Sequence, residues 1–295
     1  MKLTKLCELY RDSRLGLKEK SYEQIVYAVR SLNQHASTEL HLKDLSKPLI
    51  VAWMRQLLEC GKSPVTVNRR RTHILTLWKY AAEEERISSD PPRTIPKATV
   101  PKLIPSSWTM EELSKILAAC DTAPTFSGWG PAHWRALVLT IYDTSLRVGC
   151  LFKVKIDAFD PHNHTIAVDA IHQKGNASTF QKISPETAAA LTQITADRNS
   201  SALLFDWTGG GQRKYNSSIV QRRFRLDVLK PAGLPATRRD CFHKIRRTSY
   251  TIIADRLGIA EASKHAGHKH DMSSYYLDTS KTTQSNAVDH LPRPG

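Results

Sequence analysis

Apolar residues recur at Tyr22, Ile25, Val26, Val29 and Leu32, the spacing that lays a stripe along one face of a helix. The same period predicts a second helix from Lys47 to Cys60, stopped before Gly61. It predicts a third from Ser63 to Glu85, with Ile74, Leu77, Trp78 and Ala81 on one face. The pattern then breaks. Residues 91–105, PPRTIPKATVPKLIP, hold five prolines and little apolar period; proline fixes φ and removes backbone donors, so an extended linker is expected. A capping box, Thr109-Met-Glu-Glu112, stands ahead of Leu113, Ile116 and Leu117. It starts the next helix and a second domain, with the boundary near residue 103.

Beyond that boundary the pattern is mixed. Trp134, Leu137, Val138, Leu139 and Ile141 predict a buried helix over 132–146. Alternation over 164–170, HTIAVDA, and less clearly over 179–183, predicts two strands with Lys174-Gly175-Asn176 at the hairpin turn. Helical spacing resumes at Pro185, breaks at Gly209-Gly210-Gly211, and gives way after Leu277 to a polar tail, read as a mobile arm. The expected fold is mainly α with a small antiparallel β-sheet. It comprises a helical domain over 1–90, a linker over 91–105, an α+β domain over 106–276 and a tail over 277–295.

Charge adds a partner to this picture. The 295 residues carry a formal net charge of +15, divided as +8 over 1–105 and +7 over 106–295. An excess in both domains is expected where both touch one polyanion, and nucleic acid is the commonest; a basic arm would concentrate it. Arg69, Arg70 and Arg71, in the early turns of the third helix, would ordinarily be a solvated face. In a basic helical module they become candidates for phosphate contacts. Five widely spaced cysteines without a CxxC argue against a disulfide framework or a thiolate zinc site. No apolar run approaches the ~18 residues of a membrane span, and the N-terminus lacks a signal-peptide stretch. A cytoplasmic, nucleoid-associated protein with no membrane partner is expected.

Six side chains carry candidate chemistry: Arg147, Lys174, His243, Arg246, His268 and Tyr276. Arginine pairs fork onto phosphate oxygens, and a phenol can attack phosphorus to form a covalent ester. His243 and Arg246 are three apart and share a helix face. The spacing of His265, His268 and His270 is not a common zinc pattern, and no cysteine accompanies it, so no metal is expected.

In order and spacing, DTSLRVGCLFKV, HQKGNASTF, FHKIRRTSY, AGHKH and MSSYYLD resemble the signature segments of the tyrosine recombinase (phage integrase) family. The resemblance covers nearly the whole chain. It implies an N-terminal helical core-binding domain and an α+β catalytic domain of the tyrosine recombinase type, with the linker as hinge of a clamp on double-stranded DNA. Arg147 and Arg246 would clamp the scissile phosphate, most tightly in the transition state. Lys174, or its rival Lys182, would protonate the departing 5′-oxygen. His243 would take the nucleophile's proton or hydrogen-bond the phosphate, and His268 would add a further donor. Tyr276, with Tyr275 as rival, would form a 3′-phosphotyrosyl link; it follows His268 by eight residues, where the family usually shows nine. Neither ATP nor metal would be needed.

The same resemblance implies a homotetramer synapsing two recombination sites of a mobile element, and leaves room for an accessory directionality factor. A simple two-domain enzyme without an arm-binding domain is expected. Ser145 stands where glycine is common and Cys150 where an acidic residue often lies. The rival readings are a type IB-like topoisomerase and a DNA-binding protein with a decayed site.

Overall fold

The computed structural model of the chain describes residues 1–126, 128–172, 178–206, 217–268 and 272–282. The stripe through Ile25, Val29 and Leu32 is the buried face of a helix that runs Glu19–Ala36. With Leu3–Ser13 as α1 and that helix as α2, the first part of the chain adds α3, Lys47–Glu59, and α4, Pro64–Glu83. Ser46 and Ser63 cap α3 and α4 by accepting the N–H groups of Leu49 and Thr66, and each helix carries a proline in its first turn. A serine cap satisfies an orphan donor, and proline there has no donor to lose. The four helices enclose Leu6, Leu32, Ile50, Trp53, Val67, Ile74 and Leu77.

This first compact unit extends from Met1 to Lys102, so it reaches into the proline-rich segment. Ile95 is buried in its core. Asn68 on α4 exchanges two 2.8 Å hydrogen bonds with the backbone of Ala98, and Arg71 donates to the carbonyl of Ile95 at 2.5 Å. The early part of the expected linker is therefore docked on α4, because polar side chains of that helix supply the partners that proline cannot.

The second unit begins at Leu103. The Thr109–Glu112 capping box forms as expected and opens α5, Met110–Asp121. Next come α6 (Pro131–Thr144) and a short α7 (Val148–Leu151). A three-stranded antiparallel sheet follows, in the order β1-β2-β3, from Phe159–Asp160, Thr165–Val168 and Thr179–Lys182. Val168 pairs with Thr179, so β2 and β3 are adjacent antiparallel strands. The expected turn at Lys174 to Asn176 lies outside the described residues, as does the glycine-rich break. Then come α8 (Pro185–Thr195), α9 (Ser217–Phe224, continuing as a π-helical turn Arg225–Leu229), α10 (Phe242–Leu257), α11 (Ile259–His265) and α12 (Ser273–Tyr276). The core gathers Trp129, Trp134, Leu137, Ile141, Phe205, Phe224 and Ile245. The expected tail begins too early: Leu277 and Asp278 are buried, and Thr279–Lys281 forms a 3-10 turn. Among the described residues, no helix is long and apolar enough to cross a membrane.

Candidate active site

The site is built around α10. His243 lies in its first turn and Arg246 one turn later. Arg246 is 2% exposed, and a buried guanidinium needs its donors satisfied. It donates to the carbonyl of Ser145, to that of Ala266 at 2.7 Å, and to His268 Nε2 at 2.9 Å. Arginine has no acceptor, so this bond puts the His268 proton on Nδ1. Burial pushes the Arg246 pKa down to about 10, still well above neutrality.

Both backbone acceptors come from sharp bends. Ser145, the residue after α6, is left-handed at φ 49°, and its hydroxyl donates to Ser249 on α10 at 3.0 Å. A left-handed backbone costs little for glycine and about 1 kcal/mol or more for other residues, which gives a physical reason for glycine being common here. The second bend, at Gly267, has φ 65° and leads into His268.

Tyr276 is 4% exposed, whereas Tyr275 is 64% exposed. Neighbouring positions on one helical turn point in different directions, so α12 can present only one of the pair inward. The Tyr276 ring lies 4.6 Å from that of His268 and 5.3 Å from that of His243. The Arg246 guanidinium sits 5.2 Å from the Tyr276 ring centre.

Beside this group is a cavity of about 170 Å³ lined by Arg147, Gln221, Arg238, His243 and Arg246 among others. Arg147 precedes α7 and is half-buried. Three guanidiniums around one cavity with no carboxylate in its lining favour an anion. The imidazoles respond to the same environment. Burial, then the charges of Arg247, Arg246 and Arg147, push His243 down to about 4, although the residue keeps an exposed surface. Burial, then Arg246 and Arg147, push His268 to about 4. Both rings are neutral at pH 7; His243 can accept a proton, whereas His268, its Nε2 taken by Arg246, can only donate from Nδ1.

Five expected residues thus converge: Arg147, His243, Arg246, His268 and Tyr276. Lys174 lies outside the described residues; Lys182 ends β3 with its side chain exposed. The arginine run needs correction. Arg69 is exposed, but Arg70 and Arg71 are 9% and 8% exposed. Arg70 donates to Ser31 at 2.9 Å and covers the Tyr27 ring at 4.7 Å, while Arg71 holds Ile95. Both are turned into the first unit, where Ser31, the Tyr27 ring and the Ile95 carbonyl meet them, although Arg71 Nε stays without a hydrogen-bond partner. Arg238, Gln221 and Arg247 were not singled out by sequence. Arg238 sits in a plain Thr-Arg-Arg-Asp run, and only the fold brings it to the cavity.

Cys150, which replaces the acidic residue common at its position, is buried near Arg147 and Arg246, and burial raises its thiol pKa. It therefore supplies no negative charge to the arginines at neutral pH.

The chain is similar to known proteins in sequence and in fold. A tyrosine recombinase XerC described from Pseudomonas aeruginosa is 24% identical over 268 residues, covering 84% of this chain and 61% of its own length. The tyrosine recombinase XerC of Chlamydia caviae is 24% identical over 225 residues, 74% of this chain and 68% of that protein. The chain thus spans under two thirds of the first of these relatives. The fold is shared with a λ integrase solved as a dimer on a COC′ core site, at a TM-score of 0.74 and 20% identity over 97% of this chain and 99% of that one. It is also shared with the Tn1549 transposon integrase solved with circular intermediate DNA, at a TM-score of 0.71 and 16% identity over 99% and 100%. The sequence model of the phage integrase family matches residues 107–282, most of the unit that holds the site; the chain belongs to the phage integrase family.

Proposed function

We propose that the chain is a site-specific DNA recombinase that breaks and rejoins DNA through a phosphotyrosyl intermediate at Tyr276. The observation that carries this reading is the buried Tyr276 phenol beside two neutral imidazoles and the Arg246 guanidinium, of which His243 and Arg246 line a cavity that favours an anion.

The phenol oxygen attacks phosphorus, its proton passes to His243, and the bond from phosphorus to the 5′-oxygen breaks. Arg147 and Arg246 fork onto the non-bridging oxygens, where negative charge grows in the transition state, and Arg238 lies close enough to add a third cation. His268, its Nε2 occupied by Arg246, offers Nδ1–H. Lys174, which falls between β2 and β3 in sequence, in preference to Lys182, protonates the leaving oxygen. The product ester keeps the energy of the broken bond, so religation by the reverse path needs no other source. DNA is the substrate, and the recombination complex is multimeric, a homotetramer on two sites; the λ integrase was solved as a tetramer on a Holliday junction. Arg69 on α4 contributes a phosphate contact.

A DNA duplex nicked just beyond the cleavage point traps the intermediate, because the short 5′ fragment diffuses away. Wild-type protein and Tyr275→Phe form a covalent adduct, and Tyr276→Phe forms none. An adduct from Tyr276→Phe would overturn the assignment. Lys174→Ala and Lys182→Ala in the same assay identify the acid, since its loss slows cleavage by ~10²–10⁴-fold.

A further inference from the structure

The chain leaves Tyr276 through a buried carboxylate. Asp278, two residues on, is 2% exposed. Its Oδ2 accepts the backbone N–H of Ser107 at 2.8 Å and the Ser107 hydroxyl at 2.9 Å. Its Oδ1 accepts the Ser280 N–H at 3.3 Å and the Ser280 hydroxyl at 2.5 Å. The N–H of Asp278 donates to Thr251 Oγ1 at 3.1 Å, and that hydroxyl donates to the carbonyl of Tyr276 at 3.4 Å. Thr251 stands on α10, as does Thr248, whose hydroxyl accepts the N–H of Trp108 at 2.8 Å. Lys281 donates to the carbonyl of Ser107 at 2.6 Å.

A carboxylate is kept out of water only when hydrogen bonds replace its hydration. Here they are local on one oxygen and reach 171 residues back along the chain on the other. The result ties together the segment that opens the second unit, the helix that carries His243 and Arg246, and the turn that carries Tyr276. Such a tie is needed. A four-residue helix such as α12 has too few internal hydrogen bonds to fix its own place, and a misplacement of about 1 Å at a reacting centre costs roughly 10²-fold in rate.

We propose that Asp278 is a positioning residue for the nucleophile: by clasping Ser107 and capping onto Thr251 it sets the Tyr276 phenol against His243, Arg246 and His268. The inference rests on the reading of Tyr276 as nucleophile.

The test is single-turnover cleavage of the nicked duplex as a function of DNA concentration, with 3-fluorotyrosine at position 276 observed by ¹⁹F NMR in the same proteins. In Asp278→Ala the rate at saturating DNA falls roughly 10- to 100-fold, while the half-saturating DNA concentration stays within about twofold. The fluorine line narrows and moves toward its solvent position. Asp278→Asn, whose amide oxygen still accepts from Ser107, recovers most of the rate and the wild-type line. The proposal is overturned if Asp278→Ala cleaves at the wild-type rate, if its rate and DNA affinity fall together, or if the fluorine line is unchanged. Tyr276→Phe run alongside keeps the two ideas apart: an adduct from that variant sinks the nucleophile assignment, whereas its absence together with an unaffected Asp278→Ala sinks the positioning role alone.

Discussion

Arg71 and Arg246 are both buried guanidiniums on helices, both donate to backbone carbonyls, and they do different work. Arg71 ends on Ile95 and fastens the proline-rich segment to α4; its neighbour Arg70 ends on Ser31 and the Tyr27 ring. Arg246 is held as firmly, by Ser145 and Ala266, yet it also meets His268 and Tyr276 and lines a cavity with Arg147 and Arg238. Burial shows only that a cation has been satisfied. What separates structure from chemistry is whether the satisfied cation also faces ionisable groups and room for an anion.

Exchanging the two arginines in turn has the largest effect. Arg246→Lys keeps the charge but loses the fork, and cleavage of nicked DNA falls by ~10²–10³-fold. Arg71→Met leaves the cleavage rate of folded protein within about twofold and lowers unfolding free energy by ~1–3 kcal/mol in denaturant titration, the cost of an unpaired carbonyl and a loosened segment. A cleavage defect in Arg71→Met at full DNA affinity would erase the distinction.

A smaller effect concerns pH. His243 and His268 are held down to about 4, against an ordinary value near 6.5. A depressed pKa in the folded state means that the unfolded chain binds protons first. The stability these two groups contribute is therefore complete above about pH 6.5 and lost as pH falls from there toward 4. The melting temperature is lower at pH 5 than at pH 7. Because the free protein keeps both rings neutral, kcat/KM for cleavage holds level from pH 7.5 to 5.5. Rings with ordinary values would instead give a roughly tenfold fall at pH 5.5.

The smallest effect belongs to Arg69, the exposed arginine of the run on α4. Arg69→Gln lowers the slope of log affinity against log salt by about one and weakens all DNA sequences alike. An unchanged slope would remove Arg69 from the interface.

Much of this arrangement is legible in the sequence. The helical stripes, the Thr109–Glu112 cap and the alternating residues of β2 and β3 are local patterns, and local patterns survive folding. The five converging residues are legible because each sits in a short motif whose order the family preserves. The rest depends on distant partners. A run of three arginines reads as a solvated face until Ser31, Tyr27 and the carbonyl of Ile95 come to meet two of them. Asp278 looks like the start of a polar tail because Ser107, its principal partner, is remote in sequence. Arg238 has no motif around it and reaches the cavity only through the packing of the turn before α10. Tyr276 is buried and Tyr275 exposed because of which side of α12 meets α10, a property that adjacent identical residues cannot display in sequence.

The most direct measurement of the central claim is peptide mapping of the trapped adduct. Wild-type protein is reacted with the nicked duplex, digested with protease and nuclease, and sequenced by mass spectrometry. The nucleotide remnant is expected on Tyr276, with Tyr275 unmodified. A remnant on Tyr275, or on any residue outside the group around Arg246, would contradict the account.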